Sequence, residues 1–263
     1  MTTTLTGKTS ELGALLARQR STTATGSLHI NVAGQQANTL LHDGHAWKNF
    51  ARTTLAATRR ALRSAETDRV PLLVHASFAF VHAVEAGSPL KAPLRAMVDA
   101  ILECEAMVLS GPVPACVVRL GYLYGPHSAD LRAYRRAFRL GRPYWSGPSR
   151  ARQYDLHQSD AVAALLAAGK ARNAGRTFYA VAGPPVPFER FMDAFAHRVG
   201  RRTPLHLPLL SRPVAHVIIR EEHMQQTALS MPSGVPAPRV PGWKPKFADY
   251  RTGLDQVIAS WSD

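Results

Sequence analysis

Residues 115–126 read "ACVVRLGYLYGP", an apolar, β-branched run closed by Gly125-Pro126. A strand covered by helices on both faces has this composition, because it has no solvated side on which polar residues would alternate. Working outward, "LRAMVDAILECEAMVL" (94–109) has helical periodicity, and "PLLVHAS" (71–77) is a second apolar strand. Before them lie a long amphipathic helix, 45–66, with Trp47, Phe50, Leu55 and Leu62 toward the core, and a short strand, "GSLHINVAG" (26–34), ending in a small-residue turn. This alternation predicts a parallel sheet with right-handed crossovers. Ser10 is the expected N-cap of a helix over "SELGALLARQR". Beyond 126 come an Arg-rich helix, a Gly/Pro loop, a helix opened by Ser159 or Asp160, the strand "GRTFYAVAG", the helix "PFERFMDAFAHRVG" and a Pro/Gly-rich tail.

The chain has 263 residues, 46% of them apolar, enough for one large α/β domain with a smaller lobe. No apolar run reaches the length of a membrane span, and the first twenty residues lack a basic start followed by an apolar segment. With two cysteines, Cys104 and Cys116, at no metal-type spacing, a cytoplasmic setting is expected. The net charge is +14, yet arginines scattered through Ala-rich helices read as compositional bias rather than a nucleic-acid surface. Arg132, Arg135, Arg136 and Arg139 do form one helical stripe. A solvated face is its ordinary explanation; a phosphate or an anionic carrier is the sharper one.

The segments "VVRLGYLYGP", "LHQSDAVAALLAA", "GRTFYAVAGPPVPFERFMDAFAHRVG" and "GWKPKF…GLDQVIASW" together resemble the extended short-chain dehydrogenases/reductases, the NAD-dependent epimerase/dehydratase group. The resemblance covers residues 26–263. It implies an incomplete Rossmann-like doubly wound parallel sheet lacking its first strands, with a small C-terminal substrate lobe. The expected division is a truncated core at 1–126, a lobe insertion at 127–150, a return to the sheet at 151–183 and the lobe at 184–263.

That family opens with a strand and Gly-x-x-Gly-x-x-Gly, whose glycines let backbone approach a pyrophosphate at a helix N-terminus. Here neither Gly7 nor Gly13 reads as following a strand, and "GSLHINVAG" matches a later strand, beside the nicotinamide ribose. The chain therefore reads as starting roughly two strand–helix units late. In the family's Ser-Ser-x-x-Val-Tyr-Gly, Val81-His82-Ala83 stands for Val-Tyr-Gly and Phe78 for the catalytic hydroxyl, although a one-residue shift would place Ser77 there. For the Tyr-x-x-x-Lys pair, the alternative registers give Met97 and Ile101 or Leu94 and Val98.

These departures imply no nicotinamide cofactor. They favour a cofactor-independent isomerase, cyclase or lyase on a small, largely apolar metabolite, with a non-catalytic binding subunit or an atypical NAD(P)-dependent epimerase or reductase as alternatives. The crevice of such a sheet lies at the carboxyl ends of its strands. Mapped there, His82, Tyr122 and Asp155 are the candidate acid/base residues, and Ser77, Phe78, Glu85, Tyr124, Tyr144, Trp145 and His157 the candidate substrate contacts. His75 reads as a core histidine, His157 and Asp160 as helix-capping residues, and Tyr124 equally as a support of its turn. His42 and His45 have metal-compatible spacing without a third ligand, so no metal is expected. Strand 26–34 would be a bare sheet edge, to be covered by the N-terminal segment or by a second subunit, such as a homodimer partner.

Overall fold

The structure, a computed structural model, describes residues 3–23, 28–35, 44–90, 92–142, 144, 151–201 and 229–261. In chain order the core elements are β1 (Thr3–Thr6), α1 (Glu11–Thr23), β2 (Leu28–Asn31), α2 (Gly44–Thr67), β3 (Leu73–Phe78), α3 (Val81–Glu85), α4 (Ala92–Leu109) and β4 (Ala115–Leu120). They continue with β5 (Tyr122–Tyr124), α5 (Ala129–Arg139), β6 (Arg152–Gln153), β7 (Asp155–His157), α6 (Gln158–Ala168), β8 (Thr177–Ala180), β9 (Val186–Pro187), α7 (Phe188–Arg198) and α8 (Tyr250–Ala259). The central sheet has five parallel strands in the order β1-β2-β3-β4-β8.

The sheet is incomplete, as expected, but one strand more is present than the sequence suggested. Residues 3–6 pair in register with residues 28–31, so the edge of β2 is covered by the chain's own N-terminal segment. In the complete doubly wound order 3-2-1-4-5-6, the first strand sits beside the fourth. β1 and β2 occupy those two places, and the missing second and third strands fall between α1 and β2.

The helices keep a trace of that gap. Leu12 and Leu16 of α1 share a core with Ala161, Val162 and Leu165 of α6, whereas α2 packs on α4 across the opposite face. The β1–α1–β2 and β2–α2–β3 connections step the same way across the sheet from opposite faces, so they have opposite hands. Right-handed crossovers are the strong rule. The exception at α1 is what remains when the units that would follow it are absent.

The face under α1 and α6 is apolar, with Leu5, Ile30, Val32, Val74, Ala76, Cys116 and Val118. The face under α2 and α4 carries a row of buried polar side chains. The Thr4 and Thr6 hydroxyls bond the two ring nitrogens of His29 at 2.7 and 2.9 Å, and Asn31 bonds His75 Nδ1 at 3.0 Å. At Gly121 the chain leaves the main sheet: a Cβ there would lie 2.6 Å from the Tyr154 carbonyl oxygen. The expected single strand 115–126 is therefore two, with β5 pairing β7 outside the sheet. Beyond it Tyr122, Tyr124, Phe138, Phe188, Phe191, Phe195 and Leu254 form the core of the small lobe.

Candidate functional site

Gly7 follows β1 directly at φ +89°, and a Cβ on it would lie 2.7 Å from the Ala33 backbone nitrogen at the end of β2. Only glycine makes this turn without strain. Gly13 lies in the first turn of α1, where a Cβ would strike the Gly7 carbonyl oxygen. These are the first and third positions of the dinucleotide fingerprint: one for the tight turn, one for close helix–strand packing. Ser10 holds the middle position. Its hydroxyl donates to the Gly7 carbonyl at 2.8 Å and accepts from the Gly13 N–H at 3.0 Å, so it caps α1 as expected and its side chain is buried. With Ser10 folded inward, backbone faces out at the helix N-terminus, where orphan N–H groups and the helix dipole favour a phosphate. The reading that neither glycine follows a strand is thus corrected. The sequence concealed the motif because "TTLT" is short and polar and a serine replaces its central glycine.

An open cleft of about 570 Å³ lies against this turn. Residues 5–9 and Ala33 form one side, and Thr53, Ala57, Arg60 and Ser64 of α2 form the other. The volume suits a small-molecule site. The turn that a Cβ would fill, the open helix N-terminus and the cations Lys8 and Arg60 fit the pyrophosphate and phosphates of a dinucleotide.

Past Gly34 the neighbouring side chains are hydrocarbon. Phe78 lies edge-on to Phe50, with ring centroids 6.3 Å apart, and packs on Phe80. Leu94, Met97, Val98 and Ile101, which cover both registers of the Tyr-x-x-x-Lys pair, are buried in the same cluster. A pit of about 10 Å³ lies at the carboxyl ends of β3 and β4, lined by Phe80, Tyr122, Gln153, Tyr154 and Met231 among others. Hydrogen bonds from Met231 N–H to the Arg152 carbonyl, Gln153 to the Leu229 carbonyl and Tyr154 to the Pro232 carbonyl, all 3.0 Å, strap residues 229–232 over it.

Most of the sequence-derived site residues fall into two groups, one around Arg119 and one on the paired strands β5 and β7. Ser77 is buried and donates to Glu105 at 2.5 Å. Glu105 takes a bidentate bond from Arg119, whose guanidinium also reaches Glu85 and the Tyr179 hydroxyl, both at 2.8 Å. His82 Nδ1 lies 3.4 Å from that hydroxyl and 3.8 Å from Glu85. Burial pushes the Glu85 carboxyl upward, but the Arg119 bond and charge outweigh it and hold the pKa below its ordinary value. This network spans β3, β4 and β8, on the same face as the cleft but toward the opposite edge of the sheet.

Tyr122 borders the pit, and its hydroxyl donates to Asp130 at 3.5 Å. Asp155 pairs with Tyr122 across β5 and β7; burial raises its pKa well above the usual range, and its Oδ1 has no protein partner. The Tyr124 hydroxyl abuts Gly253 of α8, also without a partner. Tyr144 donates to Asp193 at 2.7 Å and packs inside the lobe. His157 caps α6 by accepting from the Ser159 N–H, and Asp160 accepts from the N–H groups of Lys246 and Phe247. Trp145 and His42, and the side chains of His45 and Trp47, lie outside the described residues. On α5, Arg132, Arg136 and Arg139 are exposed, while Arg135 stacks on Trp261 at 5.1 Å. Among the described residues no group of three metal-ligating side chains occurs, and no helix is long and apolar enough to cross a membrane.

No family model matches the chain. A 3-diazoavenalumate denitrifying reductase from a Streptomyces species is 28% identical over 224 residues, 80% of this chain and 72% of that protein. The crystal structure of human epimerase family protein SDR39U1 with NADPH aligns over 98% of this chain and 99% of its own, at TM-score 0.74 and 16% identity. UDP-glucose 4-epimerase of Thermotoga maritima, solved with UDP-glucose, covers 100% and 99% at TM-score 0.70 and 13% identity. RMD of Pseudomonas aeruginosa, solved with NADPH, covers 99% of each at TM-score 0.66 and 15% identity.

These likenesses and the rebuilt glycine turn overturn two expectations: that the chain uses no nicotinamide cofactor, and that its chemistry is a cofactor-independent isomerisation, cyclisation or elimination. The glycine turn after β1 supplies the nucleotide-binding feature that the sequence pattern hides. The chain carries the extended short-chain dehydrogenase/reductase fold of the NAD-dependent epimerase/dehydratase group, with five strands in the central sheet among the described residues and none in the places of the second and third.

Proposed function

We propose that the chain is a nicotinamide-dependent reductase of a small, electron-poor molecule. The observation that carries this reading is the Gly7-x-x-Ser10-x-x-Gly13 turn between β1 and α1, opening on the cleft. Gly7, Lys8 and Thr9 would hold the pyrophosphate with the first turn of α1, and Ala33 would face the nicotinamide end. Bound there, a reduced nicotinamide supplies a hydride, and a cationic or strongly electron-poor acceptor takes one with no oxyanion left to protonate. If Phe78 stands for the family's hydroxyl, and Met97 and Ile101 or Leu94 and Val98 for its Tyr-Lys pair, these buried apolar side chains exclude water and offer no acid. The denitrifying reductase among the relatives acts on a diazo acid by name, which supports an acceptor of that kind.

The test follows NADPH consumption at 340 nm with an aryl diazonium or diazo acid, against matched ketones and sugar nucleotides. Turnover is expected with the diazo compound and not with the ketones. Comparable ketone reduction would defeat the proposal, because that chemistry needs the missing acid. The tight pit under Met231 favours a second reading, a nucleotide-binding subunit without turnover, which the same assay would reveal as binding with no consumption.

A further inference from the structure

We infer that the cleft selects the 2′-phosphorylated dinucleotide over its unphosphorylated form, with Arg60 as the phosphate ligand. This rests on the nucleotide reading above. In the complete fold an acidic residue roughly 20 residues beyond the glycine turn binds the adenosine ribose hydroxyl, at the end of the second strand. That strand is absent here, and among the described residues no acidic side chain lines the cleft. The chain of a complete fold must also cross back from the third strand to the fourth, over the first. By the right-handed rule that crossing lies on the face of α2. Without it, the α2 side of β1 stays open as the cleft, and α2 faces the nucleotide directly.

The face so uncovered bears Thr53, Ala57, Arg60 and Ser64, one stripe along successive helical turns. Two neighbouring arginines there have different roles. Arg59 pairs with Glu103 of α4 at 3.8 Å, while Arg60 is exposed into the cleft. Among the described lining residues Lys8 at the turn is the other cation, leaving Arg60 for a phosphate farther along α2. A guanidinium suits a phosphate by its planar fork of donors.

The experiment measures dissociation constants for NADPH, NADH and reduced nicotinamide mononucleotide by nicotinamide fluorescence, in the wild type and in Arg60→Gln. NADPH should bind at least about tenfold more tightly than NADH, the effect of one charge-assisted hydrogen bond. Arg60→Gln should bring the two together by weakening NADPH alone, with an unchanged circular dichroism spectrum. Equal wild-type affinities would overturn the inference and leave the nucleotide reading standing. A preference that survives Arg60→Gln would overturn the role of Arg60. Binding of none of the three would defeat the nucleotide reading and this inference with it.

Discussion

His75 is held neutral, since burial without a charged partner lowers its pKa from 6.5 to about 4. In the unfolded chain it titrates at its ordinary value, so below pH 6.5 the unfolded state binds more protons and stability falls as pH falls. Between pH 7 and 5 this group alone should remove about 2 kcal/mol. Urea denaturation should show His75→Gln losing correspondingly less over that interval; parallel curves would contradict it. Arg119 depends on its carboxylates in the same buried layer. Glu105→Leu alone should lower stability by about 3–5 kcal/mol, and Glu105→Leu with Arg119→Met by much less, because the first change leaves a buried cation with only the exposed Glu85 as counter-charge. Equal losses in the two variants would sink this account. The core role of His75 was legible from its mid-strand position. The Glu105–Arg119 network was not, because it joins residues 14 to 60 positions apart that periodicity does not relate.

At the level of elements, the strands and helices between 71 and 126 stand out because long apolar runs and amphipathic stripes have few other uses. β1 does not, since three of its four residues are threonine and its partners are 25 residues away. Tertiary pairing overrides weak local propensity there. The α1 cap was visible at Ser10, but its meaning depended on the strand before it. Ser10→Ala should lower stability by about 1 kcal/mol in urea unfolding, the usual loss of an N-cap. Gly13→Val should do more, pushing α1 off the Gly7 carbonyl and abolishing nucleotide binding. A fully folded Gly13→Val protein with undiminished NADPH affinity would contradict the proposed packing of the turn.

Across the whole molecule, an open sheet of five strands does the positional work of a larger one. The apolar strand from Ala115 and the helix-entry turn at His157 lie where the sequence places them, which is why the fold was legible from residues 115–126 outward, although the β5–β7 detour at Gly121 was not. The candidate site was not, because it depends on a gap. Removing two strands between α1 and β2 leaves the first strand and its glycine turn in place, and a sequence aligned from the wrong end reads that as loss of the entire nucleotide half. The central claim is therefore that the β1–α1 turn binds a nicotinamide dinucleotide. Its most direct test is calorimetric titration of NADPH into the wild type and Lys8→Glu, with thermal unfolding as a folding control. Saturable binding that weakens at least about tenfold in Lys8→Glu, at unchanged unfolding temperature, is the predicted result. No heat of binding up to millimolar NADPH, or affinity indifferent to the charge at position 8, would contradict it.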